Sequence, residues 1–437
     1  MDIGTITLLM VAAISLLMFL GVPLAFVTGS VAMAAAWLHF GSNALPLIAS
    51  RTYSLLNEYV LVAVPLFVLM AAVLERSGVA KDLFRALHIF AGRLRGGLGI
   101  QTLIVAILLA AMSGIIGGEI VLLGLIALPQ MLARGYDRKL AMGIVCAGGS
   151  LGTMIPPSIV LIVYGLTANV AIGDLFMATI VPGLLLGGTY VAYTLIRCHL
   201  DPSAGPPAPA EDRDMPLAEK LLLLRGLVLP VLVMLSVLGS IYSGIASVTE
   251  AAGMGVAGAL VSALVRGELK LPLILAALRQ TMGTCGMLLW LTFGANALIG
   301  VYNLMGGTRY MHGLLTGLPF EPLVVVILMM GVLVLLGLFM DWIGICLLTM
   351  PIFVPAIVAM GYDPVWFGIL FCMNMQISYL SPPFGPACFY LKGVAPKDIE
   401  LSEIFAAMWP FIGLQFLGLT LVLLFPGIAL WLPSIVN

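Results

Sequence analysis

Two proline pairs and three acidic residues are the places in this sequence where side-chain type and spacing could do chemistry. In the run Gly148-Gly149-Ser150-Leu151-Gly152-Thr153-Met154-Ile155-Pro156-Pro157-Ser158, an apolar stretch meets two consecutive prolines. A proline inside a helix has no N–H to give, and its ring clashes with the carbonyl four residues earlier. Pro156 is therefore expected to release the carbonyl of Gly152, and Pro157 that of Thr153. Pro382 and Pro383 should do the same for Ser378 and Tyr379. Released carbonyls in a dry setting are costly unless a donor or a cation meets them. A small hard cation such as Na⁺ suits an all-oxygen set, with the hydroxyls of Ser113, Ser378 and Ser381 as further ligands. The plainer alternative is a pair of proline kinks satisfied by neighbouring helices.

Glu119, Glu250 and Asp341 lie in apolar surroundings, where a carboxylate is expensive and a functional role is the default reading. Asp341 is read as the cap of a half-helix or as a group standing behind a cation. Glu119 has three readings: a substrate contact, a proton carrier, or the partner of a scaffold residue. Glu250, in Ser247-Val248-Thr249-Glu250, has the spacing of a capping box. Half-helix N-termini also present free N–H groups to anions. No Lys or Arg occupies the middle of these segments, so an anion would be held by amides, hydroxyls and bound cations. Gly117, Glu119, Ser158 and Gly385, at the tips and breaks, are the candidate substrate contacts. Nothing suggests catalysis. His39, His88, His199 and His312 form no spaced cluster, the six cysteines show no CxxC spacing, and no Ser–His–Asp or paired-acid arrangement occurs.

The elements that must position these residues follow from composition. Of 437 residues, 62% are hydrophobic and 9% charged, with a net charge of −1. So few charges cannot cover a soluble protein of this size, and no basic surface is available for nucleic acid. The chain reads as an all-α polytopic membrane protein. Apolar spans of crossing length fall near 4–20, 22–40, 59–75, 139–165, 175–196, 224–242, 247–265, 281–303, 364–391 and 403–431. The first has no basic residue before it and is expected to be a retained helix rather than a cleaved signal. Two further stretches, about 98–133 and 320–357, carry a small or polar break in the middle. They are expected to be re-entrant hairpins, the first entering from the cytoplasm and the second from the opposite face. With the N-terminus outside, all of the 19 lysines and arginines except Arg51 and Arg309 fall on inner loops, as the positive-inside rule requires. Both termini are then periplasmic.

An internal repeat organises the map. Pro129, Gly135-Tyr136-Asp137 and Pro156-Pro157 recur 226 residues later as Pro355, Gly361-Tyr362-Asp363 and Pro382-Pro383. The expected division is a first repeat at 1–196 (hairpin one about 98–133, broken helix 139–165), a cytoplasmic linker at 197–225, and a second repeat at 226–437 (hairpin two about 320–357, broken helix 364–391). Because the two hairpins enter from opposite faces, the repeats read as inverted, and paired interrupted helices in inverted repeats point to a secondary transporter with a midplane site. The linker, with its DPSAGPPAPAEDRD run, reads as a solvated loop. A channel or a membrane enzyme does not require this pairing.

Over nearly its whole length the chain resembles the large, DctM-type membrane subunit of tripartite ATP-independent periplasmic (TRAP) transporters. The resemblance rests on GVPLAFVTGS (21–30), VPLFVLMAAVLERSG (64–78), GGSLGTMIPPSIVLIVYG (148–165), the SVTEAAG run (247–253) and LSPPFGP (380–386). It implies an elevator-type, Na⁺-driven symporter in a bacterial inner membrane, with two or more coupling ions. It also implies a small four-helix membrane partner and a periplasmic binding protein that delivers an organic acid, usually a carboxylate. One cation site would resemble Ser113 with the carbonyls of Gly152, Ile155 and Pro157, and a second Gly337 with Ser378, Ser381 and Phe384, with Asp341 behind. Hairpin one departs from the serine-rich tip common in the family and reads Ser113-Gly114-Ile115-Ile116-Gly117-Gly118-Glu119. A stand-alone ion- or proton-coupled organic anion carrier of similar fold is the competing expectation.

Overall fold

Proline, glycine and aspartate set the helix boundaries. A computed structural model describes residues 2–87, 94–114, 117–207 and 217–436, in which the regular elements are all helices, with no strand among them. Hairpin one is Gly97–Ser113 followed by Gly118–Ala133; hairpin two is Pro322–Gly337 followed by Trp342–Ala359. The first broken helix runs Arg138–Ser150, takes one 3₁₀ turn at Leu151–Thr153, and resumes as Ile159–Ala168. The second runs Pro364–Leu380 and resumes as Pro386–Val394. The residues Ile115 and Ile116 of hairpin one's tip lie outside the described residues, as do 208–216 of the expected linker.

The repeated Gly-Tyr-Asp is a helix-to-helix joint. Gly135 and Gly361 adopt positive φ, 76° and 84°. Beyond them, the N–H of Tyr136 reaches the carbonyl of Met131, and that of Tyr362 reaches Ile357. This is the left-handed stop that a Cβ-free residue allows at a helix C-terminus. Asp137 then accepts from the N–H of Leu140 at 2.8 Å and Asp363 from that of Val365 at 2.7 Å, so each aspartate caps the broken helix that follows. The helix boundaries keep the sequence offset of 226: Ala133 and Arg138 correspond to Ala359 and Pro364.

Among the described residues six helices are long and apolar enough to cross a membrane: Tyr59–Arg76, Ile172–Leu200, Val248–Val265, Leu271–Leu304, Trp342–Ala359 and Leu401–Leu424. Shorter apolar helices, among them Ile3–Phe19 and Leu24–Phe40, supply the rest. Several expected bounds are corrected. The 281–303 span is a 34-residue helix, about 51 Å long at 1.5 Å per residue and so longer than the hydrocarbon core is thick. The 403–431 span is two helices, Leu401–Leu424 and Gly427–Val436, because Pro426 cannot extend the ladder. Ala44–Leu56, Val79–Leu87 and Gly307–Thr316 are helices too short and too polar to register as spans.

The linker also differs from expectation. Helix extends to Leu200 on one side and begins at Leu217 on the other. Between them Ala204 and Gly205 are buried, not solvated: their carbonyls accept from the N–H groups of Asp137 (3.0 Å) and Gly96 (2.9 Å), tying the strip to both ends of hairpin one. Glu250 closes the expected capping box with Ser247, at an exposed helix start.

The two broken helices are joined at the centre. Gln376 donates from Nε2 to the carbonyl of Ser150 at 2.6 Å and also to Thr153 Oγ1; both residues are buried. Gln376 is the position 226 residues after Ser150. Replacing it by Leu keeps the volume but leaves the Ser150 carbonyl with only the Thr153 hydroxyl as a donor, a loss of about 0.5–1.5 kcal/mol. Gln376→Leu is therefore expected to lower the thermal unfolding midpoint in detergent. An unchanged midpoint would show that the bridge contributes nothing.

Candidate functional site

At the first break the two prolines do release carbonyls from the helical ladder, but the hydroxyls decide which stay available. Ser158 donates to the Thr153 carbonyl at 2.7 Å, so the oxygen that Pro157 was expected to free is already taken. Thr153 in turn donates to the Ser150 carbonyl at 3.2 Å. Pro156 has no N–H for the carbonyl of Gly152. The tip of hairpin one is pressed against this break. Gly114 has φ +58°, and a Cβ there would sit 2.2 Å from the carbonyl oxygen of Pro157. The N–H of Ile159 reaches back to the Gly114 carbonyl at 3.3 Å. Ser113 precedes that contact and donates its hydroxyl to Glu119 Oε1. A Cβ on Gly152 would stand 2.8 Å from the same carboxylate oxygen. The fold thus gathers Ser113, Gly152 and Pro157 around one point, with Glu119 beside them. Ile155 belongs to the same break, and its side chain packs on Gly183.

At the second break the closest approach is between Gly337, the end of hairpin two's first helix, and Ser378. A Cβ at 337 would lie 1.9 Å from Ser378 Oγ, so only glycine lets the two elements meet. Ser378 donates to the Asn374 carbonyl at 3.3 Å, and Ser381 to that of Ile377 at 2.7 Å. The carbonyl of Ser378, expected to be free because Pro382 lacks an N–H, accepts instead from the N–H of Ser381 at 3.3 Å. Gly385, at φ +26°, donates to the Ser381 carbonyl at 2.9 Å. Phe384 stands in the same turn, 36% exposed. Asp341 accepts from the N–H of Ile343 at 3.3 Å and caps the second helix of hairpin two, the first of its two expected roles.

Each region holds a buried side-chain oxygen without a hydrogen-bond partner: Glu119 Oε2 by the first break, and Asn374 Oδ1 one turn before Ser378. Hydroxyl, carbonyl, amide and carboxylate oxygens with unspent acceptor capacity are the donor set that suits a small hard cation, so the residues present fit one at each break. Of the candidate substrate contacts, Ser158 is fully buried with its hydroxyl committed to Thr153. Gly117, at φ +111°, is covered by the ring of Tyr390, whose Cζ would lie 3.0 Å from a Cβ there. Tyr390 joins hairpin one to the second broken helix, and nothing local in the sequence marks it. Gln376 and Glu75 were likewise missed. A polar residue in the apolar run FCMNMQIS was the available signal for the first, whereas Glu75 is the last residue of the expected 59–75 span, beside Arg76, where a charge is ordinary.

The family model described as "Tripartite ATP-independent periplasmic transporter, DctM component" matches residues 11–428. The C4-dicarboxylate TRAP transporter large permease protein DctM of Pseudomonas aeruginosa is 31% identical over 398 residues, 91% of each chain. The sialic acid TRAP transporter large permease protein SiaM of Vibrio cholerae is 28% identical over 424 residues, 96% of each. Among solved structures, the Neisseria gonorrhoeae protein MtrF, titled as illuminating a class of antimetabolite efflux pumps, superposes with a TM-score of 0.63. It shares 18% identity and covers 90% of this chain and 85% of its own, a likeness of fold.

The Gly337–Ser378 contact gives a test. Gly337→Ala should cost about 1–3 kcal/mol through overpacking, and Ser378→Gly, by removing the atoms it strikes, should recover part of that loss in the double variant. A thermal-melt double-mutant cycle measures the coupling. Strictly additive effects would mean the two residues do not touch.

Proposed function

Since the chain belongs to the DctM component family of tripartite ATP-independent periplasmic transporters, we propose that it is the Na⁺-coupled translocating subunit for a small organic anion. The substrate class is a carboxylate, in keeping with the C4-dicarboxylate and sialic acid relatives. A periplasmic binding protein delivers it, and a small four-helix membrane subunit completes the complex. In this reading ten crossings and two re-entrant hairpins form inverted repeats in the inner membrane with both termini periplasmic. The hairpins and broken helices then move together, as an elevator, against the remaining helices.

The observation that carries the proposal is the pair of helices broken at the same register and fastened by Gln376 to the Ser150 carbonyl at 2.6 Å. An interrupted helix at membrane depth leaves backbone groups that only protein, water or ligand can satisfy, and two of them facing each other make a site rather than a defect. Ser113 with the carbonyls of Gly152, Ile155 and Pro157 would hold one Na⁺, and Gly337, Ser378, Ser381 and Phe384 another. Na⁺ supplies, when bound, the positive charge that this arginine- and lysine-free centre otherwise lacks for an anion. Gly117 and Gly385, bordered by Tyr390 and Phe405, are the candidate substrate positions, and of the two Gly385 has its N–H committed to the Ser381 carbonyl. Glu119, drawn to Ser113 and Gly152, stands on the cation side.

Proteoliposomes containing this chain and its small partner should take up a C4-dicarboxylate or related acid only with both an inward Na⁺ gradient and the binding protein. Gly152→Val, which drives a branched side chain into the Glu119 carboxylate, should cut that uptake at least tenfold while membrane insertion is kept. Uptake that ignores Na⁺ would refute the coupling, and uptake without the binding protein would favour a stand-alone carrier.

A further inference from the structure

A second group of polar side chains adjoins the first break, on the side of hairpin one that meets the Ala63–Arg76 helix. Between the hairpin, the Ala63–Arg76 helix and the Leu271–Leu304 helix is a cavity of about 40 Å³, lined by Glu75, Ser113, Gly118, Glu119 and Gln280 together with apolar side chains. Glu119 is 3% exposed, and its Oε2 has no hydrogen-bond partner. Gly118 is the spacer that lets a second carboxylate approach: a Cβ at 118 would lie 3.1 Å from Glu75 Oε2. Gln280 donates to that Oε2 at 3.4 Å and turns its own carbonyl to Arg76, accepting at 2.7 Å from Nη2. No salt bridge among the described residues joins Arg76 to either acid, so its charge is spent on the amide at the rim.

We propose that this cavity is a further cation site, next to the one at the first break and sharing Glu119 with it, in which Glu119 and Glu75 are the charged ligands of a single Na⁺-sized monovalent ion. The chemistry is direct. Two carboxylates lining one small cavity repel each other, and the buried Glu119 oxygen without a donor is a large desolvation cost unless a counter-charge meets it. The volume is of the size that water or a small ion fills, not an organic anion. The ligands come from two elements, hairpin one and the Ala63–Arg76 helix, so an ion here ties the hairpin to its neighbour. The inference leans on the ion-coupled reading only in taking Na⁺ as the ion.

The test is the number of Na⁺ ions bound per chain, measured with radioactive Na⁺ on the full-length protein in nanodiscs by scintillation proximity. Glu75→Gln is the decisive variant, because Glu75 touches neither break; Glu119→Gln is its companion, and Ser378→Ala reports the second break. Glu75→Gln should bind one ion fewer than wild type, Glu119→Gln at least one fewer, and Glu75→Gln/Ser378→Ala two fewer. Glutamate variants with undiminished stoichiometry and affinity would overturn the site while leaving the break sites standing if Ser378→Ala still loses an ion. A wild-type chain that binds no Na⁺ would overturn both.

Discussion

A backbone carbonyl in hydrocarbon must find a donor or a cation inside the protein, and the rest of this structure depends on how that demand is met at Pro156-Pro157 and Pro382-Pro383. Each pair stops a helix in a buried setting. The hydroxyl of Ser158 and the amides of Ser381 and Gly385 repair part of the damage locally. Gln376 repairs part of it from the opposite half, giving its Nε2 to the Ser150 carbonyl. What stays unrepaired sits next to Ser113, Glu119, Ser378 and Asn374, the oxygen-rich side chains that a cation would use.

Close approach is the second condition, and small residues supply it. Gly114 against the Pro157 carbonyl, Gly152 against Glu119, and Gly337 against Ser378 are contacts that any Cβ would obstruct. They fasten each hairpin to a broken helix, hairpin one to the first and hairpin two to the second. With Gln376 linking the broken helices and Tyr390 laid over Gly117, four elements share one centre. Substrate and ion would then meet the same small set of residues, which is what coupling between them requires.

Much of this was legible in the sequence because its causes are local. A proline pair breaks a helix wherever it stands, and Gly-Tyr-Asp ends one helix and caps the next through bonds within a few residues. Hairpin breaks at Ser113-Gly114 and near Asp341 follow from the same local rules. The short helices Ala44–Leu56 and Gly307–Thr316 were not legible, since a window sought for membrane crossings passes over them. Nor was the folding-back of Ala204 and Gly205, whose composition reads as solvent-exposed but whose carbonyls are taken by Asp137 and Gly96. At the site, Ser113, Gly152, Pro157, Gly337 and Ser378 could be named from the proline breaks and the family resemblance. Gln376, Glu75 and Tyr390 could not, because their partners lie far away in sequence and no single-chain spacing records such a pairing.

The central claim is that the two breaks form one ion-responsive centre. Hydrogen–deuterium exchange of the reconstituted complex, compared in Na⁺ and in choline at equal ionic strength, tests it most directly. The account predicts that Na⁺ slows exchange together at the amides of 151–155 and 158–159 and of 381, 384 and 385, with little change in the Leu401–Leu424 helix. Exchange at both breaks that is indifferent to Na⁺ would contradict it.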